Sequence, residues 1–358
     1  MFSPDTSKNG SQMLVRRRSF AFGALGTIAI ATAVSLHYWI GPAVSRLPAD
    51  MDSTAEYVGT TAHVDPATKQ LGTPQEITAS TRARVVSATG SAAVIEVVST
   101  TNAGTSSSVD HRKYAIDRTD LTRAPAPQGI DVTDQRDGVV LARPRDPGRD
   151  PFTVYNPVIE QALPVGYVDT SQMNGRTVYQ FTGTTTAPIA DPDLLAQLQN
   201  RIGQLAPGDG RTLPKAALHI MAAGLAEPQR TQFLELLSTL PDQVPLAYTA
   251  TVQPTLWLDA ALGTPIKSSQ AITTTLAIAG PTVIPLIPLT HTQLAQTPSS
   301  VQQSAEQAAS NAAKLDWIND WGPLTLAVIG ILFLGVSLAT ARRNRVGATP
   351  EVVVAVAD

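Results

Sequence analysis

Residues 323–341 read PLTLAVIGILFLGVSLATA, an uncharged run closed by Arg342, Arg343 and Arg345. Nineteen residues rising ~1.5 Å apiece come close to the ~30 Å of a bilayer's hydrocarbon layer. Pro323 suits the first turn of a helix, where its missing N–H costs nothing. Residues 16–40, RRRSFAFGALGTIAIATAVSLHYWI, mirror that run, with Arg16, Arg17 and Arg18 ahead of the uncharged stretch 20–40. Basic residues stay on the cytoplasmic side, so these six arginines set a topology with both termini inside and 41–322 outside. Tyr38, Trp39, Trp317 and Trp321 fall at the outer membrane edges, where amphipathic rings settle. The rival reading is a cleaved signal: Arg17-Arg18-Ser19-Phe20 has a twin-arginine look, and AVS at 43–45 is a small-residue cleavage pattern. The length of the apolar run and the Tyr38-Trp39 pair favour an anchor that is kept. Gly23, Gly26, Ala29 and Ala33 form a small-residue face of the kind by which membrane helices pack, or simply reflect an Ala/Gly-rich span.

Composition agrees with a chain that spends part of its length in lipid. Of 358 residues, 43% are hydrophobic and only 15% charged, and Pro (27) and Gly (24) are frequent, which predicts a turn-rich, β-leaning remainder. The stretch 41–322 carries a net charge of −7, which argues against a nucleic-acid surface. There is no cysteine, so no disulfide staples the exported part and no thiolate binds metal.

Between the two apolar runs the pattern alternates. RARVVSATGSAAVIEVVSTT (82–101) has two β-branched runs about Thr89-Gly90-Ser91, and VGYVDTSQMNGRTVYQFTGTTT (165–186) is split by Asn174-Gly175, the strongest short hairpin signal. Residues 124–151, rich in Pro, Asp and Arg, read as a loop-rich connector. The period then changes to 3–4 over 191–240, giving three short helices, and returns to strand over 243–278. Val301, Ala305, Ala308, Ala312 and Leu315 make one apolar stripe on a closing helix. The expected fold class is α+β, two transmembrane helices flanking a β-rich extracytoplasmic domain with a short helical insertion. Its parts are a basic cytoplasmic N-terminus (1–19), a first span (20–40), a β-rich part (41–190), the helical insertion (191–240), a β meander (241–296), a juxtamembrane helix (297–322), a second span (323–341) and a cytoplasmic tail (342–358). DPATKQLGTP (65–74) and DAALGTPIK (259–267) share Asp and Leu-Gly-Thr-Pro, which similar turn chemistry explains better than duplication.

Catalytic signatures are absent: there is no His-Glu-x-x-His, Gly-x-Ser-x-Gly, phosphate-binding glycine loop or dinucleotide fingerprint. The five histidines are scattered, and His219, in an apolar helical stretch, reads as a core histidine. Asp131, Asp134 and Asp137 lack the spacing and closing glutamate of a calcium loop and read as solvated. DHRKYAIDR (110–118) reads either as a charged edge strand or as a surface for an anionic head group or glycan. No cofactor is implied, and no catalytic or metal-binding residue stands out. Leu218, Ile220, Met221, Phe233 and Leu236 are candidate lining for an apolar ligand, with packing of their helices on a sheet as the alternative.

At PFTVYNPVIEQALPVGYVDTSQMNGRTVYQF (151–181) the chain resembles an actinobacterial family of two-span envelope proteins known as porin PorA. Pro151-Phe152, Tyr155 and NGRTVYQF carry the resemblance. YVGTTAHVDPATKQ, HRKYAIDR, LPDQVPLAYTATVQPTLWLDAALGTPI and the Pro-initiated second span extend it over nearly the whole chain. Between Phe152 and Tyr167 the chain departs from the family in lacking an aromatic residue followed by aspartate. The resemblance implies an extracytoplasmic domain in a mycolic-acid-type envelope and a link to lipoglycan maturation, and it brings no catalytic set. The order of anchor, β-rich ectodomain with helical tip, and anchor also looks like the class B scavenger receptors. The first expectation is therefore a non-enzymatic membrane-anchored protein that binds, moves or helps mature a lipid or lipoglycan. A pore, a glycan-processing enzyme and a scaffold for envelope-biosynthesis enzymes are the alternatives. Expected partners are membrane lipids, a lipoglycan or those enzymes, and further copies joined through the spans, with no nucleic acid.

Overall fold

Asn174 and Gly175 take φ of 47° and 77°, the paired positive values that let a two-residue turn join strands without splaying them. The strands it joins, β6 (Gln161–Met173) and β7 (Arg176–Thr182), pair antiparallel with Met173 opposite Arg176. In this computed structural model the described residues are 25, 27–35, 46–65, 68–144, 146–205, 209–222, 227–280 and 283–346. They divide into two units, Leu47–Ser310 and the pair of segments Met1–Arg46 and Asn311–Asp358.

The first unit is mostly β. Besides β6 and β7 it holds β1 (Asp52–His63), β2 (Gln75–Thr89), β3 (Ala92–Ala103), β4 (Ser106–Asp117), β5 (Phe152–Asn156), β8 (Thr185–Pro188), β9 (Thr212–Pro214), β10 (Gln243–Asp259), β11 (Pro265–Ile278) and β12 (Ile284–Gln296). They form one curled sheet in the order β4-β3-β2-β1-β12-β11-β10-β7-β6-β5, with β8 and β9 on β10. The hairpin expected at 82–101 is β2–β3, turning at Gly90. Three helices interrupt the strands: α1 (Pro192–Leu205), α2 (Lys215–Ala222) and α3 (Gln229–Thr239). Their apolar sides supply Leu198, Ile202, Leu218, Phe233 and Leu237 to the core that also holds Phe181, Val252, Leu276 and Ile278 of the sheet. Each such side chain taken from water stabilises by about 1.5–3 kcal/mol. Period-3.6 helices thus cover one face of a period-2 sheet, and this packing holds the unit together.

The connector between β4 and β5 is extended rather than helical, and it bonds to both edges of the sheet. Its Thr133 and Ala124 amides donate to the carbonyls of Lys113 (2.7 Å) and Ala115 (3.0 Å) on β4. Val139 exchanges bonds with Thr153 and Tyr155 on β5 at 2.9 and 3.1 Å. Two connector arginines sit on aromatic rings: Arg143 is 4.7 Å from the centroid of Phe152, and Arg149 is 5.2 Å from that of Tyr167. Such cation–π contacts add to the backbone bonds that blunt an otherwise sticky edge.

The two Leu-Gly-Thr-Pro loops close identically. Asp65 and Asp259 each accept, on a side-chain oxygen, the amide three residues on (Thr68 at 3.3 Å, Leu262 at 2.9 Å). Their carbonyls take the amide four on (Lys69 and Gly263, both 2.9 Å), and their own amides donate to the carbonyl five on (Gln70 at 2.7 Å, Thr264 at 2.8 Å). The shared wiring starts from the aspartate in both, whereas Leu-Gly-Thr-Pro follows the turn in the first loop (71–74) and lies within it in the second (262–265). Asp259 is fully buried and is also gripped by Arg176, whose Nε lies 2.6 Å away.

Pro298–Asp316 form α4 and Gly322–Val346 form α5, joined by a π-helical turn at Trp317–Trp321. Val301, Ala305 and Ala308 of the expected stripe are buried in α4, together with Ser300, while Ala312 and Leu315 are only partly covered. At its start Gln296, 7% exposed, donates to the hydroxyls of Ser300 (3.0 Å) and Ser304 (3.1 Å) and accepts from the amide of Ser268 (3.1 Å). Pro323 cannot donate, and its ring crowds the carbonyl one turn back. The wide turn ahead of it absorbs that clash, and the Thr325 hydroxyl donates to the carbonyls of Trp321 (2.8 Å) and Gly322 (2.9 Å).

Among the described residues one helical run, Pro298–Ala339, is long and apolar enough to cross a membrane, where the sequence predicts two such spans. Most of the first expected span, with Tyr38 and Trp39, and all of Arg16–Arg18 lie outside the described residues. Residues 27–35 are helical, and Ala33 is 5% exposed while Leu25 and Ile28 are open.

Gly263 has φ of 69°, and a Cβ there would lie 2.3 Å from the carbonyl oxygen of Pro144 and 2.4 Å from that of Arg143. Gly263→Ala is expected to lower stability by about 1–3 kcal/mol, while Lys69→Gly at the matching position changes it little. Denaturant unfolding of the full chain in detergent measures both.

Candidate functional site

Strand register lays out a grid on the face of the sheet turned away from the core. Three rows cross β1–β4: Asp52, Arg84, Glu96 and Lys113; Thr54, Arg82, Val98 and His111; Glu56, Ser80, Thr100 and Val109. Residues two apart on a strand share a face, so all twelve point the same way. Thr54, Ser80, Arg82, Arg84, Glu96, Val98 and Thr100 line an open groove of about 330 Å³.

The charged side chains there are held in fixed orientations. Asp52 takes Nε (2.8 Å) and Nη2 of Arg82 on separate oxygens. Glu96 is 7% exposed although it is a carboxylate. One of its oxygens takes Arg84, and the other meets His111 Nε2 at 2.7 Å. The hydrogen bond from His111, then that from Arg84, holds the Glu96 carboxyl below its ordinary value against the opposing effect of desolvation. The hydrogen bond from Arg82 does the same for Asp52. Among the described residues neither arginine's Nη1 meets an acceptor, and the hydroxyls of Thr54, Ser80 and Thr100 meet no partner. Oriented donors and acceptors of this kind suit a polar ligand.

A second open groove, of about 390 Å³, runs under the connector and is lined by Ala115, Ala124, Pro125, Ala126, Val132 and Thr133 with the ion pair of Arg123 and Asp134 (3.1 Å). Asp134 also holds Arg136 at 3.2 Å, so this aspartate stabilises a loop. Among the described residues no group of three His, Asp or Glu side chains could hold a metal ion.

Of the apolar residues singled out in the helices, three meet in one core and one is turned to solvent. Leu218 is fully buried, Phe233 is 7% exposed and Leu236 packs at the margin of the same core, while Ile220 is 71% exposed; the side chain of Met221 lies outside what is described. His219 is exposed, not a core residue, because α2 turns it away from the sheet. DHRKYAIDR runs along the edge strand β4, where Tyr114, Ala115 and Ile116 are buried and most of its charges are engaged. Arg112 meets Asp110 (3.0 Å), Glu160 (3.6 Å) and Asp191 (2.6 Å), which joins the edge to the β5–β6 turn and the start of α1. Trp317 and Trp321 are 58% and 62% exposed, and Arg342 is exposed near the end of α5; the side chains of Arg343 and Arg345 lie outside the described residues. Sequence reasoning missed the grid. Only the alternation of Arg82 and Arg84, with Glu96 12 residues after Arg84 on the adjoining strand, hinted at it.

A curled β unit in a chain that also carries a long apolar helix defines a membrane-associated protein of the β-rich kind. The family described as Porin PorA matches residues 19–339, and this chain belongs to it. No curated protein matches the chain. Among solved structures, HtdX of Mycobacterium tuberculosis is similar over 78% of this chain and 95% of that one, at 10% identity and a TM-score of 0.12. A MaoC domain protein of Chloroflexus aurantiacus is similar over 76% and 81%, at 13% identity and a TM-score of 0.12. Scores at that level do not establish a shared fold.

Because the folded Glu96 and Asp52 carboxyls titrate below their ordinary values, their stabilisation is present above the ordinary carboxylate range and disappears as pH falls through the lowered folded values. Urea midpoints should therefore drop in that acid window, and Glu96→Gln should flatten part of the drop; a pH series of unfolding curves checks both.

Proposed function

We propose that this chain is an anchored protein of the cell envelope whose β unit lies on the outer side of the membrane and binds the head group of a lipid or lipoglycan, without catalytic chemistry of its own. The carrying observation is the grid of oriented polar groups on the outward face of β1–β4. Among the described residues Leu218 of α2 and Phe233 of α3 are taken up by the core, so the head group is the part this unit addresses. Membership of the Porin PorA family and the apolar run to Ala339 support the membrane setting. Arg342 after that run supports a cytoplasmic C-terminus.

The family name favours a second reading, a pore. The β unit is a poor wall for one: a membrane barrel turns an apolar band toward lipid, whereas this sheet turns Asp52, Arg82, Arg84 and Glu96 outward. A pore would have to be built from helices of several copies. Steady single-channel conductance of the purified full-length chain in planar bilayers would replace the head-group reading.

Two outcomes are expected. Mass spectrometry of full-length chain purified in mild detergent from its native membrane should find a lipid or lipoglycan in near-stoichiometric amount, and its consistent absence would sink the reading. Since the chain has no cysteine, single-cysteine variants report topology cleanly. Ser107→Cys should react with a membrane-impermeant maleimide in intact cells, and Arg345→Cys only after permeabilisation.

A further inference from the structure

Resting on the reading of the β unit as the ligand-binding part, we infer that the groove over β1–β3 is a subsite for a phosphate ester borne on a polyhydroxylated group. Arg82 and Arg84 both line the groove, and each already spends Nε and Nη2 on a carboxylate. That use fixes the plane of each guanidinium and leaves Nη1 as the donor still to be matched. Two guanidinium corners held in place suit an anion with several oxygens, and a tetrahedral phosphate can accept from both. Lys113, in the row with Arg84 and Glu96, adds an ammonium with no acceptor among the described residues.

The rest of the lining specifies what the phosphate is attached to. Thr54, Ser80 and Thr100 supply hydroxyls that both donate and accept, as sugar or polyol hydroxyls require. Val98 is the single apolar member of the lining, too little for an acyl chain. The open groove, of about 330 Å³, has room for one sugar or polyol phosphate. Across the grid three acids, Asp52, Glu56 and Glu96, balance three bases, Arg82, Arg84 and Lys113. Bulk charge therefore contributes little, and short-range donation from the two guanidiniums does the holding. Binding should accordingly weaken only modestly with added salt, in contrast to a basic surface that acts through its long-range field.

The test uses the full chain in phosphatidylcholine nanodiscs, titrated with inorganic phosphate, glucose and glucose 1-phosphate, and mixed with phosphatidylcholine vesicles with or without phosphatidylinositol. Glucose 1-phosphate should bind more tightly than either of its parts. Replacing both arginines (Arg82→Gln with Arg84→Gln) should weaken it by about tenfold or more. Thr100→Val should weaken glucose 1-phosphate while leaving inorganic phosphate unchanged, which keeps the assignment testable if the double variant folds poorly. Capture of phosphatidylinositol vesicles, competed by glucose 1-phosphate, identifies a lipid-borne phosphate; binding of glucose 1-phosphate without vesicle capture identifies a soluble one, and both support the site. Binding that the arginine replacements leave unchanged, or no binding of any phosphate, overturns it. If co-purified lipid survives the double variant, the groove assignment falls and the head-group reading stands. If the wild-type chain carries no lipid yet binds phosphate through these arginines, the reverse holds.

Discussion

Unpaired backbone at a sheet's edges is the constraint on which the β unit depends. A path of strands from β4 to β5 leaves a row of amides and carbonyls at each end, and such rows recruit other chains unless they are engaged. The connector meets this demand at both ends with one segment. Thr133 and Ala124 serve β4, Val139 serves β5, and Arg143 and Arg149 fasten the segment to rings between them. The high content of Pro, Asp and Arg in this stretch therefore reflects an extended strap. Pro cannot continue a ladder, Asp closes local turns, and Arg reaches across to aromatic faces.

Charge is distributed according to the same logic of satisfaction. Inside, Asp259 is tolerated because Arg176 and the amides of Ala261 and Leu262 replace the water it loses. At the margin, Arg112 gathers acids from its own strand, the β5–β6 turn and the start of α1. On the outer face, Asp52 and Glu96 hold arginines that remain partly open to solvent. Only the last arrangement leaves donors without acceptors, which is why the grid and not the buried pair is the place to look for a ligand.

Much of this fold was legible in the sequence, for local reasons. Asn174-Gly175 can serve few purposes other than a tight turn, and the stripe Val301, Ala305, Ala308 records a helix packed on one side. What escaped notice depended on distant partners. Nothing near Arg112 announces Glu160 or Asp191, and nothing near Glu96 announces that His111 will stand beside it after a hairpin. His219 misled because an apolar neighbourhood along the chain says nothing about which side of a short helix is covered. The same blindness applied to Leu218 and Ile220, two positions apart and on opposite sides of α2. The candidate site was hidden because a grid exists only once four strands are in register.

The two Asp-initiated loops share one wiring plan, yet they differ at the position held in left-handed conformation. Lys69 occupies it in one, and Gly263 in the other. Bare of a side chain, the second loop lets the carbonyls of Arg143 and Pro144 come against its backbone, and it bonds the strap through Arg143 to Gly263 (3.0 Å) and Asp146 to Ala261 (2.9 Å). A single hydrogen in place of a methylene thus converts a free bend into a socket. The strap's path across the sheet is addressed by that vacancy, so identical local geometry yields two different neighbours.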